Sequence, residues 1–456
     1  MSMLRLSELA KIVEGRMTGD DQWFEGVSTD SRRLRQGELF VALRGPNFDG
    51  HDYLAAARQR GAAGALVERS DACDIATVEV ADSLLGLGRL GRQWRLRSTA
   101  RVIAVTGSNG KTTLKEMIAA ILACQGPALA TQGNLNNAIG VPLTLCRLRD
   151  EPFAVIELGA NHRGEIDYLS GLVRPDVAVL NNAGRAHLEG FGSLEGVAQA
   201  KAEIINGLGV DGVFVFNADD RFAAMWRQRA AEHQQCTFGV ANPADVCSPA
   251  DAYEVVWKAG RFDARFPVVC AQGEVEISLQ LAGEHNRMNA LAAIAASLAA
   301  GATLAHAAQG LRDLAPVAGR LCPLPGVNGA RLIDDSYNAN PDSVIAALRV
   351  LGAAPGRRTL VLGDLAELGD DAETLHRQLG MQAVEFGVDR LLTVGALSAH
   401  AGQAFDGEHH HYPDRASLMD ALMTELSQED SVLIKGSRSS NMDQLVSGLR
   451  LEDAAC

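Results

Sequence analysis

The chain has no dense run of lysine or arginine, and its formal net charge at pH 7 is −14 over 456 residues. A nucleic-acid translocase needs a basic track for the phosphate backbone, so that class is excluded. Closely spaced cysteines are missing as well. The eight cysteines (Cys73, Cys124, Cys146, Cys236, Cys247, Cys270, Cys322, Cys456) are scattered, with no C-x-x-C pair and no evident secretory signal. Thiols so placed fit a reducing cytoplasm, the expected location. A convincing membrane span is also lacking. Residues 288–311 contain no Asp, Glu, Lys or Arg and are long enough to cross a bilayer. They are mostly alanine, however, interrupted by Asn289, Ser297, Gly301, His306 and Gly310, and read as buried helices of a soluble domain. There is no convincing repeat or low-complexity tract. The internal triplet His409–His411 reads as a loop, because alternate histidines of a strand would face opposite sides.

What is present is an ordinary soluble composition, 47% hydrophobic and 21% charged, long enough for about two to four domains with cores of their own. Residues 1–97 mix short strand-like runs ("LFVAL", "GALVE") with turn residues. Residues 98–314 alternate strands ("VIAVTG", "FAVIELG", "VAVLNNAG", "GVFVFNADD") with helical runs. "PVAGR", Pro316–Arg320, reads as a connection, and residues 315–456 resume the alternation ("ARLIDDSYNANP", "RTLVLGDLAELG", "RLLTVG", "SVLIKGSR"). Such alternation predicts an α/β protein with parallel sheets and right-handed crossovers, whose ligands collect at the C-terminal ends of the strands. At one of these ends Asn340 is suited to cap a helix, Pro341 to open it and Gly352 to stop it.

The most informative stretch is "VIAVTGSNGKTTLKEMIAAIL", residues 102–122. Val102–Val105 is an apolar run suited to a buried strand, and Leu114, Met117, Ile118, Ile121 and Leu122 follow at helical spacing. Between them, Gly107 and Gly110 let backbone N–H groups fold around an anion at a helix N-terminus. The segment Gly107, Ser108, Asn109, Gly110, Lys111, Thr112, Thr113 is a shortened phosphate-binding loop, GxxGK[ST], with Val105 where the longer form has glycine. Lys111 reaches terminal phosphates and the Thr112 hydroxyl suits magnesium. Glu157 ends a neighbouring strand and is the carboxylate type that fixes magnesium between phosphates. His187 is equally readable as a metal ligand or a hydrogen-bonding core residue, and Lys201 alone reads as a solvated helix lysine. Asp335, Asn338 and Asn340, then Lys435 and Arg438, gather at later strand ends, where the basic pair suits phosphate or carboxylate or else forms a surface ion pair.

Eight blocks stand in one order: "TGSNGKTT", "GNLNNAIGVP", "ELGANHRGEI", "AHLEGFGSLEGVAQAKAEI", "GEHNRMNALAA", "DDSYNANP", "GDLAELG" and "KGSRSSNMD". With "STDSR" and "GPNFDGHDY" near the N-terminus, the chain resembles the Mur ligases over nearly its whole length. The resemblance implies a three-domain α/β architecture: an N-terminal UDP-substrate domain (1–97), a central ATP-binding P-loop domain (98–314) and a C-terminal Rossmann-like domain (315–456). It implies that Gly107–Thr113 hold the ATP phosphates, that Thr112 and Glu157 hold one magnesium ion and that His187 helps hold a second. Lys201 matches a lysine that family members carry as a carbamate, which would place it among the metal-holding groups. Asn286 and Asn289 match an adenine-side element, Arg320 a phosphate contact and Asp335 a ribose contact. Thr29, Asp30, Ser31 and Arg32 match the N-terminal substrate loop. Asn134, Asn136, Asn137 and His162 match central substrate contacts, and Asn338, Asn340, Lys435 and Arg438 fall where the incoming amine is met.

"DDSYNANP", together with the absence of a "DNPR" block, favours the branch that adds a dipeptide. The implied substrates are ATP, UDP-N-acetylmuramoyl-tripeptide and D-alanyl-D-alanine, joined through an acyl phosphate by a monomer. The alternatives are a relative adding a single amino acid such as diaminopimelate or lysine, a folylpolyglutamate synthetase or, from another class, a P-loop regulatory ATPase. Two departures are visible: Ala138 follows "GNLNN" where an acidic residue is expected, and Asp443 stands where glutamate is commoner.

Overall fold

The computed structural model describes residues 2–70, 74–185, 188–258 and 260–451. The buried strand expected at residue 102 runs from Arg101 to Thr106, and the helix after it spans Lys111–Ala123 with Leu114, Met117, Ile118, Ile121 and Leu122 all buried. This strand lies inside a ten-stranded sheet, between Phe153–Glu157 and Val177–Leu180, parallel to both. The chain first adds strands on one side, out to Ala128–Ala130, then turns to the other side through Val213–Asn217 and Gln234–Gly239. The phosphate-loop sequence therefore leaves the sheet at its topological switch point, where ligands of open α/β sheets bind. Helices Lys111–Ala123, Glu284–Ala299 and Leu304–Arg312 cover one face of the sheet. Glu165–Val173 and Leu194–Lys201 cover the other. The apolar stretch 288–311 is thus two packed helices broken near Gly301, whose φ is +96°. Among the described residues no helix is long and apolar enough to cross a membrane.

The far end of this sheet departs from the expected parallel pattern. Arg261–Cys270 pairs antiparallel with Glu254–Lys258 on one edge and Gly273–Leu279 on the other. Pro267 is tolerated there because pairing with Glu254–Lys258 ends at Arg265, which leaves its missing N–H on an unpaired side.

A six-stranded sheet follows the connection after Arg312. Its order is Cys322–Pro325, Arg331–Asp335, Asp430–Lys435, Arg357–Gly363, Arg390–Val394 and Glu408–Tyr412, parallel except for the first pair. The last strand corrects the loop expected at His409–His411: the three histidines lie exposed on an edge strand paired with Arg390–Val394. Asn340 caps helix Pro341–Gly352 as its residue type predicts, accepting from Ser343 N at 2.9 Å. Gly352 closes that helix for a different reason from the expected one. A Cβ there would lie 2.5 Å from the Phe386 carbonyl, so close packing rather than a left-handed cap requires glycine.

An N-terminal five-stranded sheet (Arg16–Thr18, Thr77–Glu79, Gly64–Val67, Leu39–Val41, Val27–Ser28) precedes helix Ser83–Arg97, which joins it to the central sheet. Arg95 is buried against the central sheet and donates to Val173 O at 3.1 Å and Asp176 Oδ2 at 3.2 Å. Trp94 donates to Leu148 O at 2.8 Å. The close approach depends on Gly91, where a Cβ would sit 2.8 Å from the Pro142 Cα. Gly91→Ala is therefore expected to destabilise the protein by roughly 1–3 kcal/mol through overpacking. A thermal midpoint equal to wild type would contradict this.

Candidate active site

Backbone conformation builds the phosphate loop. Gly110 is the N-cap of helix Lys111–Ala123 with φ +78°, and a Cβ there would lie 2.5 Å from Asn289 Oδ1. Only glycine meets both demands. The half-buried Lys111 donates to Gly107 O at 2.8 Å and Ser108 O at 3.2 Å, which holds the amine against the loop. Burial lowers its pKa; Glu157 opposes that shift and Arg320 adds to it.

Glu157 sits beside this loop because its strand is in register with the loop strand, Val105 opposite Glu157. Its backbone N–H donates to Thr131 Oγ1 at 3.0 Å, and Asn136 Nδ2 donates to Oε1 at 2.8 Å. The second carboxylate oxygen, Oε2, is buried and has no hydrogen-bond partner. Leaving such an oxygen unsatisfied is costly unless a cation or donor meets it. It is a hard oxygen donor of the kind magnesium takes, whereas the Thr112 hydroxyl, expected in the same role, accepts from Arg320 Nη2 at 2.9 Å. Among the described residues no group of three His, Cys, Asp or Glu could hold a metal by itself. His187, expected in the same role, lies outside the described residues.

Lys201, which its sequence context alone presents as a solvated lysine, is only 1% exposed. Its amine donates to Ala160 O at 3.3 Å and lies 5.2 Å from the centre of the Phe191 ring. Burial first, and the Lys111 charge second, bring its pKa from the usual 10.5 down to about 7, against the pull of Glu165 and Glu203. The Glu203 carboxylate accepts instead from Gly164 N and Asp167 N. Between pH 7 and 10.5 the unfolded chain holds a proton on Lys201 that the folded chain releases, so this group makes stability rise with pH across that window. In buffer free of carbon dioxide, Lys201→Met is expected to be more stable than wild type at pH 7, by a margin that shrinks towards pH 9. A margin constant with pH in chemical denaturation would contradict the shifted amine.

Beside the phosphate loop, Asn286 and Asn289 belong to a chain of side-chain amides. Asn181 donates to Asn289 Oδ1 at 2.7 Å and to Asn109 O at 3.1 Å; Asn289 donates to Asn286 Oδ1 at 3.2 Å, and Asn286 to Ala282 O at 2.9 Å. Helix Glu284–Ala299 is thereby tied to the phosphate loop through Asn181, a residue the sequence motifs did not single out.

The C-terminal sheet closes the cleft. Arg320 Nη2 donates to Thr112 Oγ1 at 2.9 Å, and its guanidinium lies 4.4 Å from the centre of the Tyr337 ring, with Arg438 5.9 Å from the same ring. Tyr337 was missed by motif reading although it stands inside "DDSYNANP". Asp335 and Lys435 are buried register partners in an ion pair, and Lys435 also donates to Asn338 O at 3.0 Å. Each therefore neutralises the other instead of facing the cleft as a free charge. Arg438 is exposed and pairs with Asp443 at 3.3 Å.

The resulting cleft has a volume of about 1110 Å³. Its wall includes Ser108–Thr113, Asn134, Asn136, Asn137, Ala138, Glu157, Asn286, Asn289, Arg320, Asp335, Asn338, Asn340, Lys435 and Arg438. Within it, Asn137 Oδ1 accepts from Ile139 N at 3.1 Å and Gly140 N at 2.9 Å, which fixes the turn before helix Gly140–Leu145. Lys201 lies behind the wall. His162 is exposed on the loop before Glu165 and is not part of the wall, nor are Thr29, Asp30, Ser31 and Arg32 at the N-terminal sheet. There Asp30 and Arg32 form a surface ion pair at 2.9 Å.

A phosphate loop at a switch point, a buried carboxylate beside it and a cleft closed by a second α/β sheet define a nucleotide-dependent P-loop enzyme. Residues 105–297 match the Mur ligase middle domain, 319–438 the Mur ligase glutamate ligase domain and 24–86 the Mur ligase family catalytic domain. The chain belongs to the Mur ligase family, whose three-domain architecture it has. It is 43% identical to the UDP-N-acetylmuramoyl-tripeptide–D-alanyl-D-alanine ligase of Escherichia coli (strain K12), with 100% of both chains covered. It is 36% identical to the enzyme of that name from Bacillus subtilis (strain 168), covering 97% of this chain and 98% of the other. A crystal structure of MurF from Acinetobacter baumannii superposes with a TM-score of 0.90 at 38% identity, covering 97% of each chain. MurF ligase from Thermotoga maritima in complex with ADP gives 0.82 at 27% identity, covering 93% of this chain and 96% of that one.

Proposed function

We infer that this chain is an ATP-dependent ligase that joins D-alanyl-D-alanine to UDP-N-acetylmuramoyl-tripeptide in peptidoglycan precursor synthesis. The observation that carries the chemistry is the unpartnered Glu157 oxygen beside Lys111 and Thr112, in a cleft large enough for a nucleotide and an acceptor. Full-length similarity to ligases of this name supports the choice of acceptors.

A carboxylate and an amine do not condense in neutral water, because oxide is a poor leaving group. In the proposed reaction the tripeptide's terminal carboxylate attacks the γ-phosphorus of ATP and ADP leaves. Lys111 stabilises the charge that develops on the phosphoryl oxygens, and Arg320 adds a second cation from the C-terminal sheet. The dipeptide amine then attacks the acyl carbon, loses a proton and expels phosphate as the amide forms. Thr112 and Glu157, with Lys201 in carbamylated form and His187, are the groups proposed to hold magnesium, which when bound would neutralise phosphate charge. The neutral Lys201 amine supplies that carbamate by adding carbon dioxide and losing a proton. Closure of the C-terminal domain over the cleft would exclude the water that hydrolyses an acyl phosphate.

Thr29–Arg32 are assigned to the UDP end of the substrate, Asn134, Asn136, Asn137 and His162 to its middle, and Asn338, Asn340 and Arg438 to the amine side. Lys435 acts on that side by fixing Asp335 and the Asn338 backbone. The use of ATP and a UDP-linked substrate supports a cytoplasmic location for the enzyme. Mass spectrometry of reactions offered D-alanyl-D-alanine, diaminopimelate or lysine tests the acceptor. Incorporation of the dipeptide alone is expected, and a single amino acid added in its place would overturn the assignment.

A further inference from the structure

The loop after strand Val177–Leu180 reaches across to the first turn of helix Pro341–Gly352, and one contact there belongs to none of the roles above. Arg185 donates to the Asp342 carboxylate three times: backbone N to Oδ2 at 2.7 Å, Nε to Oδ1 at 3.0 Å and Nη2 to Oδ1 at 2.9 Å. We propose that Arg185 and Asp342 form an interdomain latch that fastens the C-terminal domain over the phosphate loop and so sets the enzyme's affinity for nucleotide.

Both ends of this contact are anchored in the site. On the central side, Ser108 and Gly184 exchange hydrogen bonds (Gly184 N to Ser108 Oγ, 2.9 Å; Ser108 Oγ to Gly184 O, 3.1 Å), and Asn109 N donates to Asn182 Oδ1 at 2.9 Å. The Arg185 loop therefore moves with the phosphate loop. On the C-terminal side, Asp342 lies in the first helical turn, where a carboxylate is favoured by the helix dipole. Its neighbour Asn340 donates to Asn109 Oδ1 at 2.7 Å. Space is reserved for the contact as well: a Cβ at Gly184 would lie 2.8 Å from Asp342 Oδ2. A side chain there would displace the carboxylate.

An isolated, partly exposed ion pair contributes little to stability. A charge-assisted contact with three hydrogen bonds joining two domains acts differently, because it removes freedom that nucleotide binding would otherwise have to remove. Arg320 reaches Thr112 from the same C-terminal sheet, so fastening one point presents the other. The pair thus acts as a positioning element, raising the fraction of molecules in which both walls of the cleft are in place.

The proposal rests on the ligase reading for its kinetic arm alone. Arg185→Ala, Asp342→Ala and the double variant are compared with wild type in two measurements. In small-angle scattering of the substrate-free protein, each single variant is expected to be more extended than wild type, and the double variant no more extended than either single one. In ligation assays the KM for ATP is expected to rise roughly fivefold or more, with kcat changed less and with no further rise in the double variant. Unchanged scattering in the single variants would overturn the latch whatever the enzyme's substrates are. Losses that multiply in the double variant, or a fall in kcat with KM for ATP unchanged, would instead make Asp342 or Arg185 an independent participant in catalysis.

Discussion

Lys111→Ala is expected to abolish ligation while the protein remains folded. Lys111 is the cation proposed to meet the terminal phosphates, and the carbonyls of Gly107 and Ser108 hold its amine against the loop. Its charge sits in a partly desolvated pocket near Glu157 and Arg320, where an electrostatic contribution to the transition state is larger than in water. Removing one such group costs roughly 3 kcal/mol or more, a loss beyond a hundredfold. The fold should survive, because the helix that follows is held by five buried apolar residues and capped by Gly110, neither of which involves the amine. Near-wild-type turnover in a folded variant would refute the assignment of this loop.

The second large effect concerns Lys201. An ordinary lysine has a pKa of about 10.4 and carries almost no neutral amine at pH 7. Here burial and Lys111 bring the value to about 7, so a large share is neutral and able to add carbon dioxide. Lys201→Ala is expected to lose most activity, and formate or acetate should restore part of it by filling the vacated anion position. Lys201→Arg should be inactive and resist rescue, since it keeps the positive charge and occupies the space. If Lys201 instead acted as a plain cation, Lys201→Arg would retain substantial activity and added carboxylate would do nothing. That pair of results would sink the carbamate.

The loop and its helix were legible in the sequence because their chemistry is local. Gly110 must be glycine for its own φ, and the apolar spacing from Leu114 to Leu122 needs no partner to be read. The same holds for Asn340 and Pro341 at the start of their helix. The segment 254–279 was not read as antiparallel. Its alternation is clear only once one face is known to be buried, and Pro267 argues against a strand until its unpaired side is seen. The His409–His411 strand was missed because an edge strand exposes both of its faces, so polar residues carry no periodic signal. Lys201 illustrates a different limit: burial arises from the helix packing around it, and nothing within "AQAKAEI" announces it. Asp335–Lys435 and Arg185–Asp342 join residues about a hundred or more positions apart in the chain. Motif reading placed Asp335 and Lys435 in the right cleft and left their mutual contact to the fold.

The account's central claim is that the cleft couples ATP cleavage to the joining of two acceptors. Phosphate release measured with ATP, UDP-N-acetylmuramoyl-tripeptide and D-alanyl-D-alanine, omitting each in turn, tests it most directly. Sustained release is expected only with all three present, with one phosphate per amide formed. Steady release from ATP with neither acceptor present would contradict the ligase and point to a regulatory ATPase.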